Sequence, residues 1–102
     1  MDPIDQRKLN DLYGCQETAN DILHMFVDKS HILVNEVISA IQTKNNDSLA
    51  KICHKGIGQA RYIASPVLED TLVQIQNAPF AEKMVLVKRL EAIINAICKE
   101  YA

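Results

Sequence analysis

Apolar residues along this chain recur three or four positions apart and nowhere alternate one by one, a period that belongs to helices with one buried face rather than to strands. A leading segment of about residues 4–13 stops at Gly14, a residue suited to the left-handed turn that closes a helix. Over 16–28 the periodic set is Ile22, Leu23, Phe26 and Val27, and over 30–44 it is Leu33, Val34, Val37, Ile38 and Ile41. Between them, Asp28-Lys29-Ser30 is either a break or a tolerated polar stretch. Asn45-Asn46-Asp47 reads as a loop in which Asn46 or Asp47 caps a helix over 47–64. Ser65 and Pro66 then suit the N-cap and first position of a helix over 66–76, with Leu68, Leu72 and Ile75 as its stripe. Glu69 and Asp70 fall near its first turn, where negative charge is favourable. After Asn77-Ala78-Pro79, a last helix over 79–101 carries Phe80, Met84, Val87, Ile94, Ile97 and Tyr101.

The connections are too short for crossovers. They predict an all-α fold, an up-down-up-down antiparallel four-helix bundle with a short extra N-terminal helix laid against one end. At 102 residues the chain is expected to be a single domain, 1–102. A 48% hydrophobic and 24% charged composition is that of a globular chain and argues against disorder.

A net charge of -2 leaves no basic field to hold nucleic acid or an anionic membrane. No apolar run approaches the roughly 20 residues of a membrane span, and the opening MDPIDQRKLN is too polar for a signal peptide. A cytoplasmic monomer is therefore expected. Cys15, Cys53 and Cys98 have no close pairing and read as free thiols in a reducing compartment. Neither Cys-x-x-Cys nor His-x-x-x-His spacing occurs, and His24 and His31 sit two turns apart with only Asp28 between them on that face. They read as surface or rim residues, and no metal site is expected.

The helix over 47–64 is the informative one. With Leu49 at zero and about 100° per residue, Ile52, Cys53, Gly56, Ala60 and Ile63 cluster around Leu49 as an inward stripe of mostly small residues. His54 lies about 140° from the centre of that stripe and faces water, with Gly58 and Arg61 one and two turns further along the same face. Two of the chain's three glycines stand inside this helix, where each costs roughly 1 kcal/mol relative to alanine. Gly56 points inward and permits close packing. Gly58 points outward, where its one evident effect is to empty the surface beside His54, its i−4 neighbour. An exposed imidazole with a cleared approach suits a nucleophile that must meet a bulky partner. A phosphoryl group on that ring would carry close to two negative charges. Lys51, one turn before His54, and Arg61, leaning back over Gly58, are the candidates to offset it, and Lys55 points elsewhere.

This segment resembles the signature of histidine phosphotransfer domains, a His-x-x-Lys-Gly run followed five residues later by a small apolar turn. His54 and Gly58 match the His and Gly, and Ile63-Ala64-Ser65 matches the closing turn. Upstream, Leu23, Phe26, Leu33, Val37, Ala40, Ile41, Asp47 and Leu49 follow the family's rhythm, so the resemblance spans roughly residues 20–76. It implies a four-helix bundle with one added helix, and a phosphorelay intermediate rather than a stand-alone enzyme. Such a protein accepts a phosphoryl group on the histidine from a receiver-domain aspartate or a hybrid sensor kinase and passes it to a response-regulator receiver. It implies no cofactor of its own, since Mg2+ belongs to the receiver's acidic site. One departure stands out: Ile57 occupies the family's Lys position. Lys51 or Arg61 takes over the charge, or Ile57, with Lys55, adds to the docking surface; Gln59 is a further hydrogen-bond donor near the site. The competing reading is a helical adaptor, phosphotransfer-like in shape, that binds a signalling partner without chemistry. A small metal-binding bundle ranks last.

Overall fold

The computed structural model describes residues 2–101. Its elements are α1 (Gln6–Tyr13), α2 (Gln16–Gln42), α3 (Asn46–Tyr62), α4 (Pro66–Asn77) and α5 (Phe80–Tyr101), with no strand among the described residues.

The polar triplet at 28–30 does not break the chain: α2 runs unbroken for 27 residues. Its buried positions explain why. Ala19, Leu23, Phe26, Ser30, Leu33, Val37 and Ala40 follow one another at intervals of three or four, so Ser30 occupies an inward place in register. Its hydroxyl donates to the Val27 carbonyl at 2.9 Å and touches the Cys98 thiol at 3.4 Å, which satisfies it without interrupting the helix. Asp28 and Lys29 simply fall on the exposed face.

The ends of the helices are marked by capping residues. Gly14 (φ 68°) closes α1, with its N–H donating to the Asn10 carbonyl. Cys15 caps α2 through its thiol, and Asn45, rather than Asn46 or Asp47, caps α3 by accepting from the Ser48 N–H at 3.0 Å. Asn45 takes that role because the chain has already turned at Lys44, whose φ is 53°. Ala64, φ 55°, turns the chain between α3 and α4 in the same way, and Ser65 and Pro66 then open α4 as cap and first residue. At both joints the amide three residues past the helix reaches back to a carbonyl five residues upstream, Asn45 to Ala40 and Ser65 to Ala60.

α2 packs on α3 and α5, and α4 packs on α3 and α5, so the four longer helices form a closed ring around one core. Leu23, Leu33, Val37, Leu49, Leu68, Leu72, Ile75, Val87, Leu90 and Ile97 fill it. Helix α1 packs against α2, burying Leu9, and the chain just before it buries Ile4. Two hydrogen bonds tie this region to the end of α3 and the turn after it, from the Asp5 N–H to the Ala64 carbonyl at 2.7 Å and from the Tyr13 hydroxyl to the Tyr62 carbonyl.

α5 departs from the expected stripe at its start. Phe80 and Met84 are exposed, and Lys83 takes the inward place instead. Its ammonium donates to the Ile75 and Gln76 carbonyls at 2.5 and 3.1 Å, meeting the negative end of α4 with a cation. Among the described residues, no helix is long and apolar enough to cross a membrane.

Candidate functional site

Helix α3 sorts its residues as its periodicity demands. Leu49, Cys53, Gly56 and Ala60 are buried, Ile52 is half-buried against the core, and the next inward position, Ile63, closes the stripe just past the helix. An added β-carbon at Gly56 would stand 2.9 Å from a methyl of Leu72 and 3.0 Å from one of Leu33, so any side chain there would have to push those methyls of α4 and α2 aside. Burial pushes the Cys53 thiol up to about 11, opposed by the nearby Lys83 charge.

His54 follows Cys53 in sequence, about 100° around the helix, and is exposed. Lys51 and Lys55 are exposed with it, while Ile57 is half-buried against the core. At Gly58 an added β-carbon would meet nothing within 4 Å. The bare backbone there forms part of a shallow hollow with Leu12, Tyr13, Arg61 and Tyr62, where the end of α1 meets α3. An exposed imidazole thus has open surface one turn along its own helix.

Two supporting side chains turn away from His54. Arg61 reaches across to α4 and pairs with Glu69 at 3.2 Å, the one ion pair among the described residues. Gln59 faces α2, where it lines hollows with Met25 and Lys29 on one side and Lys55 and Glu36 on the other. With Arg61 and Gln59 turned away, Lys51, one turn before His54, and Lys55, next to it in sequence, are the exposed cations left near the imidazole on α3.

The residues missed by reading the sequence are apolar and lie between α2 and α3. Ile22, Met25, Phe26, Tyr62 and Ile63 line an open groove with Lys29 and Gln59 at its edge. Met25 and Tyr62 are 58% and 67% exposed, well beyond what packing requires. Leu12 extends the apolar surface toward Gly58. The available signal was a pair of large apolar residues, Met25 and Tyr62, lying off the inward stripes of their helices.

Cys15, Cys53 and Cys98 are free thiols, exposed, buried and half-buried in that order. Cys15, capping α2, has its thiol held below the ordinary range by hydrogen bonds from Thr18. His24 and His31 are exposed on α2. Among the described residues no three His, Cys, Asp or Glu side chains gather as metal ligands. Set beside family models, curated proteins and solved structures, the chain finds no match in any of the three.

Proposed function

We propose that this protein is a phosphorelay carrier of the histidine phosphotransfer type, taking a phosphoryl group on His54 from a receiver-domain aspartate or a kinase and handing it to another receiver. The observation that carries the reading is the exposed His54 imidazole with open surface at Gly58 one turn away. A ring nitrogen must enter a partner's acidic site, and a side chain at position 58 would stand in the way.

In the transfer, the lone pair of a ring nitrogen forms the new N–P bond as the P–O bond of the aspartyl phosphate breaks. The electron pair returns to the aspartate carboxylate, and the proton on the other ring nitrogen is released to water. Mg2+ is held by the partner and neutralises charge on the moving group. Lys51 offsets charge from this chain's side. The groove between α2 and α3, bordered by Met25 and Tyr62, supplies apolar docking area further along α3 toward its C-terminal end, in addition to Ile57 and Lys55. In this reading the four long helices run up-down-up-down, and the protein acts as a cytoplasmic monomer.

Labelled receiver domains, charged beforehand with acetyl phosphate, provide the test. Label should pass to the wild-type chain as an acid-labile phosphate and should not pass to His54→Gln. That variant should fold with a stability within about 0.5 kcal/mol of wild type, as for other exposed substitutions. Undiminished labelling of His54→Gln would sink the assignment. The second reading, an adaptor without chemistry, draws on the same exposed groove: receivers would bind wild type and His54→Gln alike, and no acid-labile phosphate would form on either.

A further inference from the structure

Arg61 lies on the same face of α3 as His54, about 20° around the axis and two turns, or ~10 Å, along it. Long helical side chains lean toward the helix N-terminus, which from Arg61 is the direction of His54. The surface between them is the bare backbone of Gly58. Yet the guanidinium does not lie along that path, because Glu69 of α4 holds it at 3.2 Å.

We infer that the Arg61–Glu69 pair is a latch operated by the phosphoryl group: when His54 is loaded, Arg61 leaves Glu69, folds back over Gly58 and shields the new charge. This rests on the carrier reading of His54. Three features of the structure make the exchange easy. The Arg61 side chain is 67% exposed against 28% for Glu69, so the guanidinium end of the pair is solvated and screened and free to swing away. Glu69 sits in the first turn of α4, where the helix dipole keeps a carboxylate comfortable after its partner has gone. The loaded ring offers close to two negative charges in place of one.

The consequence is regulatory. Loading His54 would uncover the Glu69 carboxylate on the seam between α3 and α4 and move a cation toward the histidine. Loaded and empty protein would thus present different charge to an approaching partner, with no helix displaced. Glu69 in this scheme is a positioning residue that acts through Arg61.

The test uses phosphoramidate, a small donor that needs no protein partner. Its P–N bond breaks as the imidazole nitrogen forms the new one, ammonia leaves with the electron pair, and the ring N–H proton passes to solvent. The readout is the Arg61 Nε–H resonance in the isotopically labelled chain, assigned with Arg61→Lys. In wild type this resonance should shift when His54 takes the label. In His54→Gln, where His24 and His31 still accept label, it should stay still. Glu69→Gln provides the sharper measurement. Its empty form should already show the Arg61 resonance displaced from wild type, and after labelling the two proteins should converge on one position. An unmoved Arg61 resonance in wild type labelled at His54, or a failure to converge, would overturn the latch and leave the carrier reading intact. Failure of His54 to accept any label would bring down both.

Discussion

Gly56 and Gly58 stand two residues apart on α3, yet a methyl group added to the first would press on Leu72 and Leu33 at 2.9 and 3.0 Å, whereas one added to the second meets nothing within 4 Å. The first glycine is explained by packing: two buried leucines on different helices occupy the space a side chain would need. The second is not. Gly58 is half-buried but has room for a β-carbon, so alanine would serve stability better. The same residue type is thus structural on one side of the helix and unexplained by structure on the other, and the unexplained one lies beside His54. The neighbours Cys53 and His54 repeat the contrast, one sealed in the core and one in water.

Three measurements would break or sharpen this comparison. Gly56→Leu should be the most damaging, destabilising the fold by about 3 kcal/mol because a whole leucine side chain there must displace both Leu33 and Leu72 in the core. Chemical denaturation would measure this, and a loss below about 0.5 kcal/mol would show that the inward face is looser than its contacts imply.

The next effect concerns Cys53. Its folded pKa, about 11, lies above the ordinary thiol value of 9.0, so between those limits the folded chain keeps a proton that the unfolded chain has lost. The contribution is therefore intact below pH 9 and disappears as the pH climbs toward 11, a loss on the order of 2 kcal/mol. Urea midpoints of wild type and Cys53→Ala, taken at pH 8 and pH 10.5, isolate it: wild type should fall more steeply. Parallel falls would mean the thiol is not sealed.

The smallest effect has the opposite sign. Gly58→Ala should stabilise the protein by up to about 1 kcal/mol, since the helix gains a better helix former and nothing is crowded. A destabilised Gly58→Ala would show that the bare surface has a packing role.

Much of the fold was legible in the sequence because the inward positions repeat so regularly. Gly14, Ser65 and Pro66 mark their helix ends as expected, and the α3 stripe from Leu49 to Ile63 is buried as its spacing requires. The misreadings share a cause. Ser30 looked like punctuation because it is polar, but it occupies an inward place and bonds to its own helix. Phe80 and Met84 looked like core because they are apolar, but Lys83 holds the inward place through the carbonyls at the end of α4. Residue type misled where register decided. At the site, the exposure of His54 and the emptiness at Gly58 followed from helical geometry alone. The turn of Arg61 toward Glu69 and of Gln59 toward α2 did not, because both depend on which helices flank α3.

The two joints that bracket α3 are each made by a left-handed residue that is not glycine, Lys44 at φ 53° and Ala64 at φ 55°. Glycine adopts that conformation without the roughly 1 kcal/mol penalty that a β-carbon brings. The chain therefore withholds its most permissive residue from the two hinges that would welcome it, while placing two copies mid-helix, where the backbone makes no such demand. Lys44→Gly, at an exposed joint, should recover part of that penalty, less whatever is lost as the Lys44 ammonium leaves the face of Phe80, 5.5 Å away. Stability can thus be raised at the joint before the reactive helix, ten residues from His54, without changing the histidine or the glycine beside it.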